Sequence, residues 1–256
     1  MRTLVAIPVY NEQKHVARVL ERVLQHAPDV LVLDDGSTDA TSALLAQFPV
    51  EVIRHSVNRG YGRSLADAFR WAQVDGFDWV ITMDCDEQHE PAAIPEFLEA
   101  AARDDADVVS GSRYLRPHEG DDPPPPERRS INAHITDELN RRLGLELTDA
   151  FCGFKAYRVS SLAGLRLDEP GYAFPLQFWV QSVAAGLRIR EIPVRLIYND
   201  LNRTFGGPLD DRDVRLRHYR CVLAKELERC AAHLPRGAGD GLVLPGDCRE
   251  TATQHG

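Results

Sequence analysis

The sequence predicts an α/β fold in which helices flank a mostly parallel sheet. The first observation is that short apolar runs of strand length recur through the first half of the chain. The second is that each run is followed by apolar residues at helical spacing, so one helix follows each strand. Strands that are joined through single helices run in the same direction, and helices then cover both faces of their sheet.

Four strand and helix units are predicted in residues 1–103. The strands are the apolar runs TLVAIPV, VLVLDD, VEVIRH and DWVITMD, at residues 3–9, 30–35, 50–55 and 78–84. The helices that follow them cover residues 16–24, 38–48, 65–75 and 91–103. Thr38 or Asp39 can cap the second helix, and the third ends before Gly76. The carboxyl ends of parallel strands then meet at one edge of the sheet, which is where ligands bind in such folds.

The second half of the chain is less regular. After the strand DVVSGSRY, four consecutive prolines in LRPHEGDDPPPPERR exclude a helix or a central strand. Residues 115–128 are therefore predicted to form a mobile extended loop, which is either a linker or a lid over a site. The remaining elements are a polar amphipathic helix, a second helix and a strand, at residues 129–143, 173–185 and 188–198. The Gly- and Pro-rich residues 235–256 are predicted to be a disordered tail.

Composition limits the class of protein. The 256 residues are 43% hydrophobic and 27% charged, which is typical of a globular chain with a full core. A net charge of −9 argues against a nucleic-acid partner, because such proteins neutralise phosphates with a basic face. The five cysteines include no Cys-x-x-Cys pair, so neither a disulfide framework nor a zinc site is predicted. With no apolar stretch near the ~20 residues of a membrane helix, we expect a soluble cytoplasmic protein.

The stretch ITMDCDEQHE concentrates carboxylates directly after the fourth predicted strand. Like charges at this spacing repel each other, so they need either solvent or a cation. In an extended strand, residues i and i+2 face the same side, which places Asp84 and Asp86 together and turns Cys85 away. Two such carboxylates can hold Mg²⁺ or Mn²⁺, with substrate phosphates completing the shell. The same pair is also common on solvated turns, so the motif alone leaves both interpretations open.

Polar residues also follow the other predicted strands. Asp34 and Asp35 end the second strand, where a carboxylate can accept a hydrogen bond from a nucleotide base. Residues 37–39 can equally cap the next helix. NRGYGRS brings two glycines and two arginines to the start of the third helix, where a phosphate can meet backbone N–H groups. Together, the strand ends predict a metal-assisted nucleotide site at one edge of the sheet.

Six motifs, in this order and at these spacings, resemble a family 2 glycosyltransferase of the GT-A fold, a Rossmann-like sheet flanked by helices. They are IPVYNE, VLDDGSTDAT, NRGYGRSLADAF, MDCDEQHEP, VVSGSRY and TDAFCGFKAYR. The similarity extends over residues 3–207 and is greatest to proteins like the dolichyl- or polyprenyl-phosphate sugar synthases. It implies one domain over residues 1–234, with a nucleotide-sugar half at 1–112 and an acceptor half at 113–234.

The resemblance also implies the donor site and the reaction. Pro8, Tyr10 and Glu12 would line the nucleoside pocket, and Asp35, supported by Asp34, would contact the base. Gly60 and Arg63 would lie along the nucleotide. Asp84 and Asp86 would hold the metal, with Asp84 also beside the nucleotide. The cofactor would be Mg²⁺ or Mn²⁺. The reaction would be inverting transfer of a sugar from a UDP- or GDP-sugar to a polyprenyl phosphate or a small hydroxyl compound.

On the acceptor side, the resemblance implies three catalytic residues and one departure. Asp149 matches an acidic position near the acceptor, as a base or an acceptor-positioning residue, with a turn cap as the alternative. Arg113 and Arg203 can clamp a phosphate, unless they are ordinary solvated arginines. Gln177 stands where relatives frequently carry an acidic residue, so we expect the acceptor side to differ.

The sequence leaves several interpretations open. The apolar stripe of the helix at 129–143 either lies on anionic lipid or packs on the core. His89 either supports a metal or is a capping or packing residue at the start of a helix, and Glu87 either tunes metal affinity or repels anionic competitors. A membrane acceptor would require peripheral docking at the cytoplasmic face of the membrane, and the oligomeric state is not predicted.

Two other classes of function compete with sugar transfer. One is a degenerate scaffold that binds a nucleotide sugar or a partner without turnover. The other is a nucleotidyltransferase, which is disfavoured because no glycine-rich loop follows the first strand in PVYNEQKH.

Overall fold

One sheet organises the residues that the structure describes, which are 1–199 and 207–242 of a computed structural model. Its strands are β1 (Thr3–Val9), β2 (Val30–Asp34), β3 (Glu51–Arg54), β4 (Trp79–Thr82), β5 (Val108–Ser112), β6 (Lys155–Arg158) and β7 (Ile189–Pro193). They pair in the order β3-β2-β1-β4-β6-β5-β7. Strand β6 is antiparallel to both of its neighbours, and the other pairs are parallel. The predicted α/β class with a mostly parallel sheet is confirmed.

The helices of the described residues cover both faces of the sheet. They are α1 (Val16–Val23), α2 (Thr41–Leu45), α3 (Tyr61–Val74), α4 (Ile94–Ala102), α5 (Pro126–Leu143), α6 (Val159–Leu162), α7 (Phe174–Ala184) and α8 (Arg212–Arg229). Helix α5 begins three residues before its predicted start, because Pro126 occupies the first turn, where its missing N–H costs no hydrogen bond. Helix α8 was not predicted, although Asp211 caps it by accepting from Asp213 N and Val214 N.

The sheet is buried on both faces because successive residues of a strand point to opposite sides. On one face, Val5 and Ile7 of β1 belong to a core with α1 and α4. On the other face, Leu4 and Ala6 belong to a core with α3, α5, α7 and α8. Two layers of helices therefore hold the sheet, and the edge where the strands end is left for a site.

The apolar stripe of α5 settles one open interpretation. Its residues Ile131, Ile135, Leu139 and Leu143 are at most 5% exposed and belong to the core beneath the sheet. The core-packing alternative is confirmed, because a stripe that is already buried against other helices has no face left for lipid.

The proline-rich loop is held by hydrogen bonds at its acidic residues. Asp121 Oδ1 accepts from Leu196 N, and Asp122 Oδ2 accepts from Tyr198 N, both at 2.9 Å. These bonds join residues 115–125 to the chain that follows β7. A role as a lid stays a prediction.

The predicted tail differs from the structure in its first residues. Arg142 of α5 donates to the carbonyl oxygens of Ala238 and Asp240, at 2.9 and 3.1 Å. Ala238 is 4% exposed and joins the core. The prediction of disorder is therefore wrong for residues 235–242, because carbonyl acceptors and one small apolar residue dock them on α5. Residues 243–256 lie outside the described part of the chain.

Two further sequence predictions concern cysteines and membrane spans. Cys221 on α8 is disulfide-bonded, whereas Cys85, Cys152 and Cys230 are free thiols. This bond was not predicted, because a scattered set of cysteines carries no pairing signal. Among residues 1–199 and 207–242, no helix has the length and apolar character needed to span a membrane.

Candidate active site

A cavity of about 420 Å³ opens at the carboxyl ends of β1, β2 and β4. Strand β1 pairs in parallel with both β2 and β4, so the residues that follow these strands lie at one edge. The predicted donor residues that line the cavity are Pro8, Tyr10, Glu12, Asp35, Gly60, Asp84 and Asp86. Residues of α5, α7 and α8 complete the lining. The structure therefore brings strand ends from the first half of the chain to face helices from the second half.

The carboxylates of the acidic motif divide between two sides of the chain. Asp84 and Asp86 line the cavity. Glu87 and Glu90 turn away from it, to the basic side of α1. Their partners are His15 (2.9 Å) and Arg18 (3.1 Å) for Glu87, and Arg22 for Glu90. Two carboxylates thus line the cavity, and two attach the turn to α1.

The Asp84 and Asp86 pair fits a divalent cation. A Cβ added at Gly153, on the turn opposite, would lie 2.8 and 2.9 Å from the carboxylate oxygens of Asp84. Glycine therefore leaves open the space that a side chain would fill beside a hard oxygen donor. Within the described residues, no group of three or more histidine, cysteine and carboxylate side chains surrounds one metal position. This donor set suits Mg²⁺ or Mn²⁺, which commonly take one or two carboxylates and complete the shell with substrate phosphates.

His89 supports the acidic pair from behind. Asp84 N donates to His89 Nδ1 at 2.9 Å, and the ring stacks on Phe154. Burial lowers the pKa of His89 to about 4, against the opposing effect of the Asp86 charge. The imidazole is therefore neutral at pH 7 and uses Nδ1 as an acceptor, so its proton is on Nε2. His89 therefore orients the backbone at Asp84 and packs on Phe154, which agrees with the predicted packing role and not with a helix cap.

The two aspartates after β2 have different places. Both oxygens of Asp35 accept backbone hydrogen bonds of 2.8 Å, from Arg59 N and Gly60 N, and His55 Nδ1 lies 2.6 Å from Oδ1. Asp35 thereby shapes the loop that forms the cavity wall. Asp34 is fully buried and accepts from Ser37 N at 2.9 Å. Since it does not line the cavity, Asp34 acts within the turn and not on a ligand.

Arg63 does not join the cavity, in contrast to the prediction. Its Nε donates to Asp67 Oδ2 at 2.7 Å, and it lies in a separate depression on the outer side of α3. The adjacent Gly60 does line the cavity, with φ at +99°. A Cβ there would lie 2.3 Å from the carbonyl oxygen of Pro170, so both the backbone angle and the contact require glycine.

Arg113 and Asp149 form a buried ion pair. Arg113 donates through Nε to Oδ2 at 2.6 Å and through Nη2 to Oδ1 at 2.9 Å, and Asn132 Nδ2 donates to the same Oδ1 at 2.7 Å. Asp149 is fully buried, and only Arg113 and Asn132 of the three line the cavity. Burial would raise the pKa of Asp149, but the Arg113 charge and hydrogen bonds hold it at about 2. A carboxylate this acidic and this fully bonded is suited to positioning Arg113 and unsuited to act as a base.

Comparison with known proteins decides the family. Residues 4–166, more than half of the chain, match the model of glycosyl transferase family 2. The chain belongs to this family. It is 34% identical over 231 residues to undecaprenyl-phosphate mannosyltransferase of Micrococcus luteus, which covers 86% of this chain and 94% of that protein. It is 31% identical over 212 residues to polyprenol monophosphomannose synthase of Mycolicibacterium smegmatis, which covers 78% and 79%.

Solved structures agree on the fold of this glycosyltransferase. Glucosyl-3-phosphoglycerate synthase from Mycobacterium tuberculosis, in complex with Mn²⁺, uridine diphosphate and glucosyl-3-phosphoglycerate, superposes with a TM-score of 0.66. The identity is 20%, over 91% of this chain and 81% of that one. The same protein was also solved with Mg²⁺ and uridine diphosphate. At this identity the likeness shows the fold, which is GT-A.

Three cavity residues of the glycosyltransferase were missed at the sequence level. Lys155 is 3% exposed, its Nζ donates to the carbonyl oxygen of Cys152, and burial lowers its pKa. Arg128 and Arg215 line the cavity from α5 and α8. The signal for Lys155 was its place in the motif TDAFCGFKAYR, where it begins β6. No pattern in the sequence indicated Arg215, since α8 was not predicted. The third predicted catalytic residue, Arg203, lies outside the described residues.

The space that Gly153 leaves beside the Asp84 carboxylate gives a first prediction. In Gly153→Ala, the new methyl group would displace the Asp84 carboxylate and the Tyr61 hydroxyl, which lies 2.9 Å from the added Cβ. Both displaced atoms belong to side chains and not to the backbone, so we expect the fold to persist. We expect Mn²⁺ affinity to fall by about 10- to 100-fold, the range seen when support of a metal ligand is lost.

The measurement is a Mn²⁺ titration by electron paramagnetic resonance, with nucleoside diphosphate present. Gly164→Ala is the matched control, because its added Cβ would meet no atom within 4 Å. Unchanged Mn²⁺ affinity in Gly153→Ala would show that Asp84 is not a metal ligand.

Proposed function

We propose that this glycosyltransferase moves a sugar from a nucleoside-diphosphate sugar to the phosphate of a polyprenyl phosphate, with inversion and with Mg²⁺ or Mn²⁺. The observation that carries the proposal is that one cavity is lined by two kinds of charged group. Asp84 and Asp86 line it directly after β4, and we call this part the donor end. Arg113, Arg128 and Arg215 line it from the residue after β5, from α5 and from α8, and we call this part the acceptor end. The first group suits a metal-bound diphosphate, and the second suits another phosphate.

The donor end has the chemistry of a diphosphate site. Asp84 and Asp86 would hold the cation, and the loop at Gly60 would pass along the nucleotide, with Pro8 and Tyr10 beside the nucleoside. The Asp35 carboxylate keeps that loop in place through its two backbone hydrogen bonds. Negative side chains without a cation would repel a diphosphate, which supports a metal requirement.

The acceptor end has the chemistry of a lipid phosphate site. Arg113, Arg128 and Arg215 line it, and guanidinium groups pair well with phosphate oxygens. Apolar and aromatic side chains lie in the same lining, namely Ile131, Phe151, Leu209 and Tyr219. Phe151 and Tyr219 stack with ring centres 5.1 Å apart. A polyprenyl phosphate offers both a charged head and an apolar chain, so it suits this side of the cavity.

The proposed step is a single displacement at the anomeric carbon. An acceptor phosphate oxygen forms the new bond to that carbon as the bond to the diphosphate oxygen breaks, and the nucleoside diphosphate leaves with the electron pair. The bound cation supplies stabilisation of the charge on the leaving diphosphate. Arg113 would orient the attacking phosphate, and Asp149 would hold Arg113 in place. Because the attacking oxygen is already ionised, no base is needed, which agrees with the low pKa of Asp149.

The relatives support the acceptor class. One is named as an undecaprenyl-phosphate mannosyltransferase and another as a polyprenol monophosphomannose synthase, and both match over most of this chain. An acceptor of this kind resides in a membrane, so the enzyme would dock on the cytoplasmic face as a peripheral protein. A small hydroxyl acceptor is less well supported, because the buried Asp149 cannot serve as its base. The family match also sets aside the nucleotidyltransferase alternative.

The test combines ligand binding with transfer. Melting temperatures are measured with UDP-, GDP- and TDP-sugars, each with and without Mn²⁺ or Mg²⁺. A ligand at a hundred times its dissociation constant stabilises the fold by about 2.7 kcal/mol, which is easily detected. The stabilising donor is then supplied in radiolabelled form with a polyprenyl phosphate, with the matching polyprenol, and with a small phosphorylated hydroxyl compound.

We expect one donor to stabilise the protein only with metal, and label to enter the polyprenyl phosphate alone. Label in the polyprenol would contradict a phosphate nucleophile, and label in the small compound would contradict a polyprenyl acceptor. Metal-dependent donor binding without transfer to any acceptor would favour the scaffold alternative.

A further inference from the structure

The side-chain amide of Gln177 on α7 has all of its hydrogen-bonding positions occupied. Its Oε1 accepts from Asp168 N and Glu169 N, each at 2.8 Å. Its Nε2 donates to Asp168 Oδ1 at 2.7 Å and to Glu226 Oε1 at 3.0 Å. An amide offers two acceptor and two donor positions, so this set is complete. Gln177 is 1% exposed and does not line the cavity, which removes it from the acceptor contacts considered from sequence.

A second glutamine repeats the arrangement one turn further along α7. Gln181 Oε1 accepts from Arg166 N at 2.7 Å, and its Nε2 donates to Arg166 O at 2.8 Å and to Glu226 Oε2 at 2.9 Å. The two glutamines thus share the buried carboxylate of Glu226 on α8, one at each oxygen. We call Gln177, Gln181 and Glu226 the polar clamp, and residues 166–172 the wall segment.

The wall segment reaches from the polar clamp to the cavity. The carbonyl oxygen of Pro170 accepts from Arg63 N at 3.2 Å, at the first turn of α3. A Cβ added at Gly62 would lie 2.2 Å from the carbonyl oxygen of Glu169, so the segment and the helix are in close contact. Tyr172 stacks on Tyr61 of α3 with ring centres 5.8 Å apart, and both rings line the cavity.

We propose that Gln177 is a positioning residue for the donor site, because the polar clamp holds the wall segment against the start of α3. The clamp fixes the backbone of residues 166–169. Residues 169–172 follow directly and are thereby held in contact with Gly60 and Tyr61. The assignment of this wall to the donor rests on the proposed function, whereas the attachment of the wall to the clamp does not.

The chemistry of the clamp requires an amide at position 177. A carboxylate there could accept from Asp168 N and Glu169 N only in the position that the amide oxygen now holds. It would lose both donor bonds and would stand against the carboxylates of Asp168 and Glu226, the second of which is 1% exposed. Arg229 Nη1 lies 3.1 Å from both carboxylates, so its single charge already serves two of them. A third carboxylate would add repulsion that little water screens. The substitution Glu226→Gln would remove one of those charges and restore a hydrogen-bond donor.

The experiment compares hydrogen–deuterium exchange and donor kinetics in three variants. Gln177→Glu is expected to speed exchange of the Asp168 and Glu169 amides by about tenfold or more, because their acceptor is displaced. It is expected to raise the donor KM by about tenfold with kcat changed by less than about threefold, the pattern of a binding wall that has moved. The double variant Gln177→Glu/Glu226→Gln is expected to recover most of both effects. Gln73→Glu is the matched control, because it makes the same substitution at an exposed position of α3.

Two results would overturn the proposal. One is unchanged exchange at Asp168 and Glu169 in Gln177→Glu. The other is a folded double variant that behaves no better than the single one. If Gln177→Glu does not fold, Gln177→Met removes the acceptor without adding charge and is expected to speed the same two amides. Exchange is measured on the free enzyme, so a failure of the proposed donor chemistry would leave it readable.

Discussion

Asp86→Asn is expected to lower kcat/KM for sugar transfer by about 10²- to 10⁴-fold, with little change in stability. We expect this loss because the cation stabilises the transition state by several kcal/mol, and the substitution removes the charge of one of its ligands. Asparagine has nearly the same size, and its carbonyl oxygen can keep the 3.0 Å hydrogen bond that Gln88 N donates to Asp86 Oδ1. The backbone of the turn should therefore persist while the charge is lost.

The measurement is steady-state transfer across a Mn²⁺ titration, together with the melting temperature. Glu87→Gln is the matched control, because it makes the same change one residue further on. Glu87 faces His15 and Arg18 on the side of α1, so we expect transfer within about twofold of the unsubstituted enzyme. If Asp86→Asn keeps full kcat/KM at saturating Mn²⁺, the acidic pair is not the metal site.

Asp149→Asn is expected to destabilise the protein by about 3–5 kcal/mol, the cost of leaving one member of a buried ion pair without its partner. Arg113 loses the carboxylate that accepts from its Nε and Nη2, and the new amide turns a donor toward these groups. Transfer should fall as well, because Arg113 is no longer held at the cavity. Asp137→Asn is the matched control, since its pair with Arg141 is 70% and 63% exposed and contributes at most about 1 kcal/mol.

The pH dependence separates a positioning role for Asp149 from a base. The pKa of Asp149 in the folded protein is about 2, below its ordinary value of 3.8. Its stabilisation is therefore fully present above about pH 4 and is lost as pH falls toward 2. Urea unfolding measures the difference in free energy of unfolding between the unsubstituted protein and Asp149→Asn. We expect this difference to stay constant from about pH 5 to 8 and to shrink below about pH 4. Full stability in Asp149→Asn, with transfer abolished, would instead indicate a catalytic base.

Much of the donor end could be predicted from sequence because it depends on local patterns. Period and length indicate the parallel strands, and the polar residues of a parallel sheet follow its strands at one edge. Asp84 and Asp86 could be placed together for this reason. The same reasoning could not separate Glu87 and Glu90 from them, because the direction of those side chains depends on the basic side of α1.

The acceptor end was harder to predict because it depends on contacts between distant segments. Strand β6 enters the sheet antiparallel, and its pairing with β4 joins residues more than 70 positions apart. Helix α8 carries Arg215 to the cavity and Glu226 to the polar clamp. Arg63 was misplaced for a related reason. It is next to the glycine-rich loop in sequence, but the turn of α3 directs it to Asp67.

The sequence by itself determined the α/β class, the family, the edge of the sheet where the proposed donor site lies and the pair of carboxylates suited to a metal. These follow from periodicity and motif spacing, which are local properties of the chain. Only the tertiary structure decided that Asp149 is buried against Arg113, that Gln177 belongs to a clamp and not to the acceptor contacts, and that arginines from α5 and α8 reach the cavity. Burial and ion pairing set the chemistry of these groups, and both arise only when segments far apart in sequence pack together.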